Sequence, residues 1–127
     1  MTLKAVQTSN APQAIGPYSQ AIDTGSIVFV SGQIPINPES GEIVEGIENQ
    51  TEQVMKNLQA ILTEAGLSFA NVAKFTIFLA DMNDFATVNE IYSSYLTEPY
   101  PARGTVEVSR LPKDVGVEME VVAVRES

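Results

Sequence analysis

The sequence predicts an α+β domain, a mixed β-sheet with two helices packed on one face. Three features predict it. Short β-branched and aromatic runs, SIVFVSG at 26–32, AKFTIFLA at 73–80 and VEMEVVAV at 117–124, read as strands. Two longer stretches repeat apolar residues at helical spacing. Strands and helices alternate, so the helices form a layer on a sheet. A chain of 127 residues fits one domain, 1–127, with one core.

In chain order, the first ten residues read as an extended edge segment, and 26–32 as a buried strand. NPESGE at 37–42 combines Pro, Ser and Gly as turns do. From about Glu48 to Ala65 the period changes: Val54, Leu58, Ile61, Leu62 and Ala65 share one helix face, and Gly66 stands where a helix-ending glycine belongs. The glutamates at 39, 42, 45, 48 and 52 read as a solvated approach to that helix, since no turn glycine shapes them into a calcium loop. The strand at 73–80 carries Phe75, Ile77 and Leu79 on one face and Phe78 on the other. Asn83 is the expected cap of a second helix, with Phe85, Val88, Tyr92, Tyr95 and Leu96 at helical spacing to about Thr97. Strands at roughly 104–109 and 117–124 close the order β, β, α, β, α, β, β.

The strands are apolar on both sides. Ile27 and Phe29 oppose Val28 and Val30, and Val121 and Ala123 oppose Val122 and Val124. Two helices cover one side of a sheet. The other side calls for a second copy of the chain, unless it simply stays partly exposed.

Composition excludes several classes of chemistry. Apolar residues at 44% and charged ones at 18% describe a globular, soluble chain. Sixteen acidic against seven basic residues give a net charge of −9, which argues against nucleic acid or an anionic membrane as the main partner. Any bound anion is expected to be small and locally held. The absence of Cys and His excludes disulfides, thiolate nucleophiles, Cys/His zinc sites and imidazole acid–base catalysis. MTLKAVQTSNAPQ shows no apolar segment of a secretory signal, and no run approaches the roughly 18 residues of a membrane span. A cytoplasmic location is the expectation.

The remaining tools are Arg for anions, Asp and Glu for protons, and hydroxyl, amide and backbone groups. PARGTVEVSRLPKD at 101–114 concentrates Arg103, Arg110 and Lys113, with Arg125 following. Arg103 enters a strand, where packing does not ask for a guanidinium. It reads either as a carboxylate clamp or as an ordinary surface ion-pair partner. Glu118 and Glu120 share one strand face with Val122 and Val124. They are either outward polar residues or carboxylates at a half-buried boundary, where a raised pKa suits a general base. Tyr18 follows Gly-Pro in a loop and either packs by its ring or acts by its hydroxyl. Ser31 and Gly32 end a strand, offering N–H groups to an oxyanion or making a turn. Asn89, inside a helix where Asn has no propensity advantage, points to a polar contact.

Together AIGPYSQA, VSGQIP with NPESGEI, DMNDFATVNEIY and PARGTVEVSRLPKDVGVEMEVVAVR resemble, in order and over nearly the whole chain, the Rid or YjgF-like family in its RidA branch. The resemblance implies a chorismate-mutase-like fold of the bacillus type, assembled as a homotrimer with sheets lining a central β-barrel and clefts between subunits. It implies hydrolysis of 2-aminoacrylate, 2-aminocrotonate and their 2-imino acid tautomers to 2-oxo acids and ammonia, with no cofactor and no metal. Carried over by position, Arg103 is similar to the family's carboxylate clamp and Glu118 to the residue that handles water. Tyr18, Ser31, Gly32, Asn89 and Thr105 resemble cleft residues. Gly104 and Thr105 stand where RidA proteins commonly have Ser-Cys, and the TEPY loop is shorter than in many relatives. Two further readings stand beside this one. A non-catalytic regulatory trimer would bind 2-oxo acids in the same cleft. A ribonuclease sits badly with net −9 and no His.

Overall fold

A computed structural model describes residues 2–125. Among them six strands form one sheet in the order β1-β2-β3-β6-β4-β5. The strands are β1 (Lys4–Val6), β2 (Ala21–Asp23), β3 (Ile27–Gln33), β4 (Val72–Leu79), β5 (Ala102–Glu107) and β6 (Val117–Val124). The helices are α1 (Ile47–Glu64) and α2 (Phe85–Ser94). β4 and β5 run parallel, joined through α2, and the other neighbours are antiparallel.

Both helices lie on one face of the sheet. Val54, Met55, Leu58, Ile61 and Leu62 of α1 are sealed against Val28, Phe75, Ile77, Leu79, Val117, Met119 and Ala123, each at most 1% exposed. That face forms the core. The other face keeps Phe29, Val106 and Val124 at 49, 46 and 42% exposure. The uncovered second face foreseen from the sequence is present in the single chain.

Local interactions fix α1 at both ends. Gly66, at φ 79°, donates its N–H to Thr63, while Leu67 donates to Leu62, closing the terminal carbonyls as a left-handed C′ residue permits. Gln50 accepts the Gly116 N–H at 2.8 Å, which seats the start of β6 against the helix. The buried Asn57 amide donates to the carbonyls of Ile34 and Ile36, fastening the chain that leaves β3. Tyr95 donates to Glu52 and joins the two helices.

Several expectations need correction. β2 was not foreseen, because three residues carry no period; within the expected edge segment only Lys4–Val6 pair, and Met1 lies outside the described residues. Asn83 is not the cap. Asp81 accepts the Asn83 N–H at 2.9 Å and opens a 3-10 turn at Met82–Asp84, ahead of α2. That helix stops at Ser94 rather than near Thr97. β5 begins at Ala102, before the expected 104, because parallel pairing with Lys74 and Phe75 draws Ala102 and Arg103 into the sheet.

Candidate functional site

Arg103 is the second residue of the edge strand β5, in register with Phe75. Residues in register share a sheet face, so its side chain lies on the helix side. There α2 receives it. The guanidinium sits 5.4 Å from the centre of the Phe85 ring and 5.3 Å from that of Tyr92, and it donates to the Asn89 side-chain oxygen. Phe85, Asn89 and Tyr92 stand at i, i+4 and i+7, one face of a helix. Tyr92 is itself braced edge-on against Phe75 at 4.9 Å. Arg103 therefore has its stem in a strand and its head held by one helix face.

No described carboxylate pairs with it. Arg110 pairs with Asp114 at 2.9 Å, and Arg125 reaches Asp23 and the Ala65 carbonyl, both at 2.6 Å. Of the chain's three arginines, Arg103 alone lacks a carboxylate among the described residues, although the chain holds 16 acidic residues. A guanidinium has five donors, and among the described residues Asn89 is its one hydrogen-bond partner. Arg103 opens on a cavity of about 480 Å³ lined also by Asn89, Tyr92, Ser93, Tyr100 and Pro101. Thr105, in register with Ile77, lies on the same face; its hydroxyl is buried and has no hydrogen-bond partner among the described residues.

Glu118 belongs to a second cluster. On β6 it registers with Phe78, on the face away from the helices. Burial, and then the charge of Glu120, push its carboxyl above the ordinary 4.5. A β-bulge shapes its surroundings. Val30 pairs with Val121 and Gln33 with Met119, so Ser31 and Gly32 together oppose Glu120. Gly32 lies against the Glu118 carboxylate. The Ser31 hydroxyl donates to the Ser19 carbonyl at 2.6 Å, which ties the bulge to the loop carrying Tyr18. The buried Gln20 amide anchors that loop, accepting from the Thr8 N–H at 2.7 Å and donating to the Pro12 carbonyl at 2.7 Å. Tyr18 and Ser31 border a cavity of about 490 Å³ with Phe29, Val122 and Glu120.

The candidate residues thus form two half-sites. Arg103 and Asn89 come together on the helix side of the sheet edge, and Thr105 shares that face. Glu118, Gly32, Ser31 and Tyr18 come together on the opposite face. The structure does not bring Arg103 and Glu118 together within one chain, because strand parity puts them on different faces. Phe85 and Tyr92 were read from the sequence as core residues only. The signal for their second role was Asn89, a polar residue in the middle of their apolar stripe. Among the described residues no cluster of three or more Asp and Glu side chains is placed to hold a metal ion. No described helix is long and apolar enough to cross a membrane.

Comparison with known proteins agrees with this architecture. A family model described as Endoribonuclease L-PSP matches residues 8–125. A RutC family protein of Pyrococcus abyssi is 57% identical over 127 residues, covering 99% of this chain and 100% of its own. The 2-iminobutanoate/2-iminopropanoate deaminase of Salmonella typhimurium is 50% identical over 125 residues, covering 96% and 98%. The crystal structure of Escherichia coli TdcF with bound serine superposes with a TM-score of 0.94 at 48% identity, covering 97% of this chain and 99% of that one. The chain belongs to the family described as Endoribonuclease L-PSP, the Rid or YjgF-like proteins, in its RidA branch.

Proposed function

We propose that the protein hydrolyses reactive 2-imino acids, the tautomers of 2-aminoacrylate and 2-aminocrotonate, to 2-oxo acids and ammonia. The observation that carries this reading is Arg103: a cation clamped by Phe85, Tyr92 and Asn89, without a carboxylate partner among the described residues, at the mouth of a cavity. A planar fork so held is prepared for the carboxylate of a small acid. The deaminase of Salmonella typhimurium, at 50% identity, supports the same chemistry.

The reaction asks little else. The C=N carbon of a 2-imino acid is already electrophilic, so positioning contributes more than a strong nucleophile. Arg103 fixes the carboxylate, and with it the adjacent C2. Glu118, with its raised pKa, takes a proton from water as the oxygen bonds to C2. The same proton then goes to nitrogen and gives the carbinolamine; Glu118 next carries the remaining hydroxyl proton to that nitrogen, the carbonyl forms, the C–N bond breaks and ammonia leaves. Water supplies the oxygen; no electrons change hands.

Since the two half-sites lie on opposite faces, the complete site forms between copies. The unpaired edge of β5 from one copy meets the Glu118 face of the next. The RidA resemblance implies three such copies around a barrel. Joining them also covers Phe29, Val106 and Val124.

A second reading has its own support. TdcF carries bound serine, a small carboxylate, and a regulatory protein binding 2-oxo acids would use the same arginine. The ribonuclease reading suggested by the family's description meets a chain of net charge −9 with no imidazole. A coupled assay separates the first two. With a threonine dehydratase generating 2-iminobutanoate, the protein accelerates 2-oxobutanoate release, and Arg103→Ala lowers kcat/KM by about a hundredfold. Calorimetric binding of 2-oxobutanoate without acceleration would favour the regulatory reading.

A further inference from the structure

We propose that Gly32 is a positioning residue whose missing side chain forms the slot that holds the Glu118 carboxylate in its working place. The inference rests on the reading of Glu118 as the base. Glycines often answer a backbone need: Gly16, Gly25, Gly41, Gly46 and Gly66 all have positive φ. Gly32 does not, so no left-handed conformation calls for glycine there. Room is the remaining reason. A Cβ at Gly32 would overlap Oε2 of Glu118 and stand 3.1 Å from its Cδ and 3.4 Å from its Cγ.

The bulge explains why the two meet. In regular pairing, alternate residues leave a sheet face, and a neighbour would have turned its side chain away. Here Ser31 and Gly32 stand together against the single residue Glu120. The second of the two is thereby aimed at the next carboxylate along β6, that of Glu118. The bulge is anchored from outside the ladder, by the Ser31 N–H to the Gln20 carbonyl at 2.9 Å and by the Ser31 hydroxyl to Ser19. The bulge is tethered and the Glu118 carboxylate is the free end of a side chain, so an added methyl group displaces the carboxylate. Within the described residues no hydrogen bond holds that carboxylate, and shape is what keeps it near the bulge.

Gly32→Ala, made alone and with Glu118→Ala, tests this. In the otherwise unaltered protein it lowers kcat for imine hydrolysis about tenfold or more, with KM nearly unchanged. It also moves the acid limb of the pH profile down toward the ordinary carboxylate value, because the displaced group regains water. It shifts Tm in the presence of Glu118, where the carboxylate must move, and by a different amount once Glu118 is alanine and nothing stands in its way. Equal Tm shifts in both backgrounds overturn the slot, as does a rise in KM with kcat and the acid limb unmoved. The Tm comparison needs no activity, so it decides the slot even for a variant too damaged to assay. An unaltered protein that hydrolyses no imine overturns the proposal through its premise, a result distinct from equal Tm shifts.

Discussion

Three arginines in one chain show how residue chemistry depends on company. Arg125 binds Asp23 and the end of α1, holding the far end of β6 in the fold. Arg110 pairs with Asp114 in the open, where an ion pair contributes little. Arg103 spends its interactions on two rings and an amide, which fix its direction without neutralising it. That difference was not legible in the sequence, since a clamp and a surface ion pair read alike until partners are known. The Thr105 hydroxyl offers a sharper test. A buried hydroxyl without a partner costs about 1–3 kcal/mol, relieved when a ligand supplies an acceptor. Thr105→Val is therefore expected to raise Tm by a few degrees and to weaken 2-oxobutanoate binding about three- to tenfold. A fall in Tm would show the hydroxyl already satisfied by protein. Glu118 has a pH signature. Its folded pKa is raised by burial and by Glu120, so its contribution to stability is fully present below the unfolded pKa and lost as pH rises through the folded one. Glu118→Gln is expected to abolish turnover and to raise Tm at neutral pH, a gain that fades at about pH 4. A Tm gain independent of pH would contradict this assignment.

At the scale of elements, β5 and α2 work as a unit: the strand supplies the cation and the helix its seat. Both elements were legible, α2 from its periodic residues and β5 from its β-branched residues, yet their boundaries moved by two or three residues. Pairing with β4, a tertiary effect, brought Arg103 inside β5. α1, with its closing Gly66, was plain in the sequence, because an 18-residue amphipathic segment repeats its signal several times. β6 was read to its observed limits. The bulge at Ser31–Gly32 was not, since Ser-Gly at a strand end also reads as a turn. If α2 acts by holding Arg103, Tyr92→Leu should raise KM about three- to tenfold with a smaller change in kcat, and Tyr92→Phe should keep the ring and nearly the full activity. Steady-state kinetics on the two variants decides it; equal losses would shift the role from the ring to the hydroxyl.

For the whole molecule, the governing fact is parity. Alternation along β4, β5 and β6 sends Arg103 and Thr105 to the helix side, and Glu118 and Glu120 to the open side. The apolar second face was legible because Ile27, Phe29, Val122 and Val124 stand on the side opposite Val28, Val30, Val121 and Ala123. The division of the site across the sheet was not, since it depends on the parallel register of β5. On the proposed reading, the site is incomplete in one chain. Mixing separates that arrangement from a site within a single chain. Arg103→Ala and Glu118→Gln proteins, each inactive alone, are unfolded together in equal amounts, refolded, and assayed for 2-oxobutanoate release from dehydratase-generated 2-iminobutanoate. If each cleft takes Arg103 from one copy and Glu118 from the next, about a quarter of the clefts are whole, and the mixture recovers about that share of the unaltered activity. A mixture as inactive as its parents, in assemblies shown to contain both chains, would contradict the account.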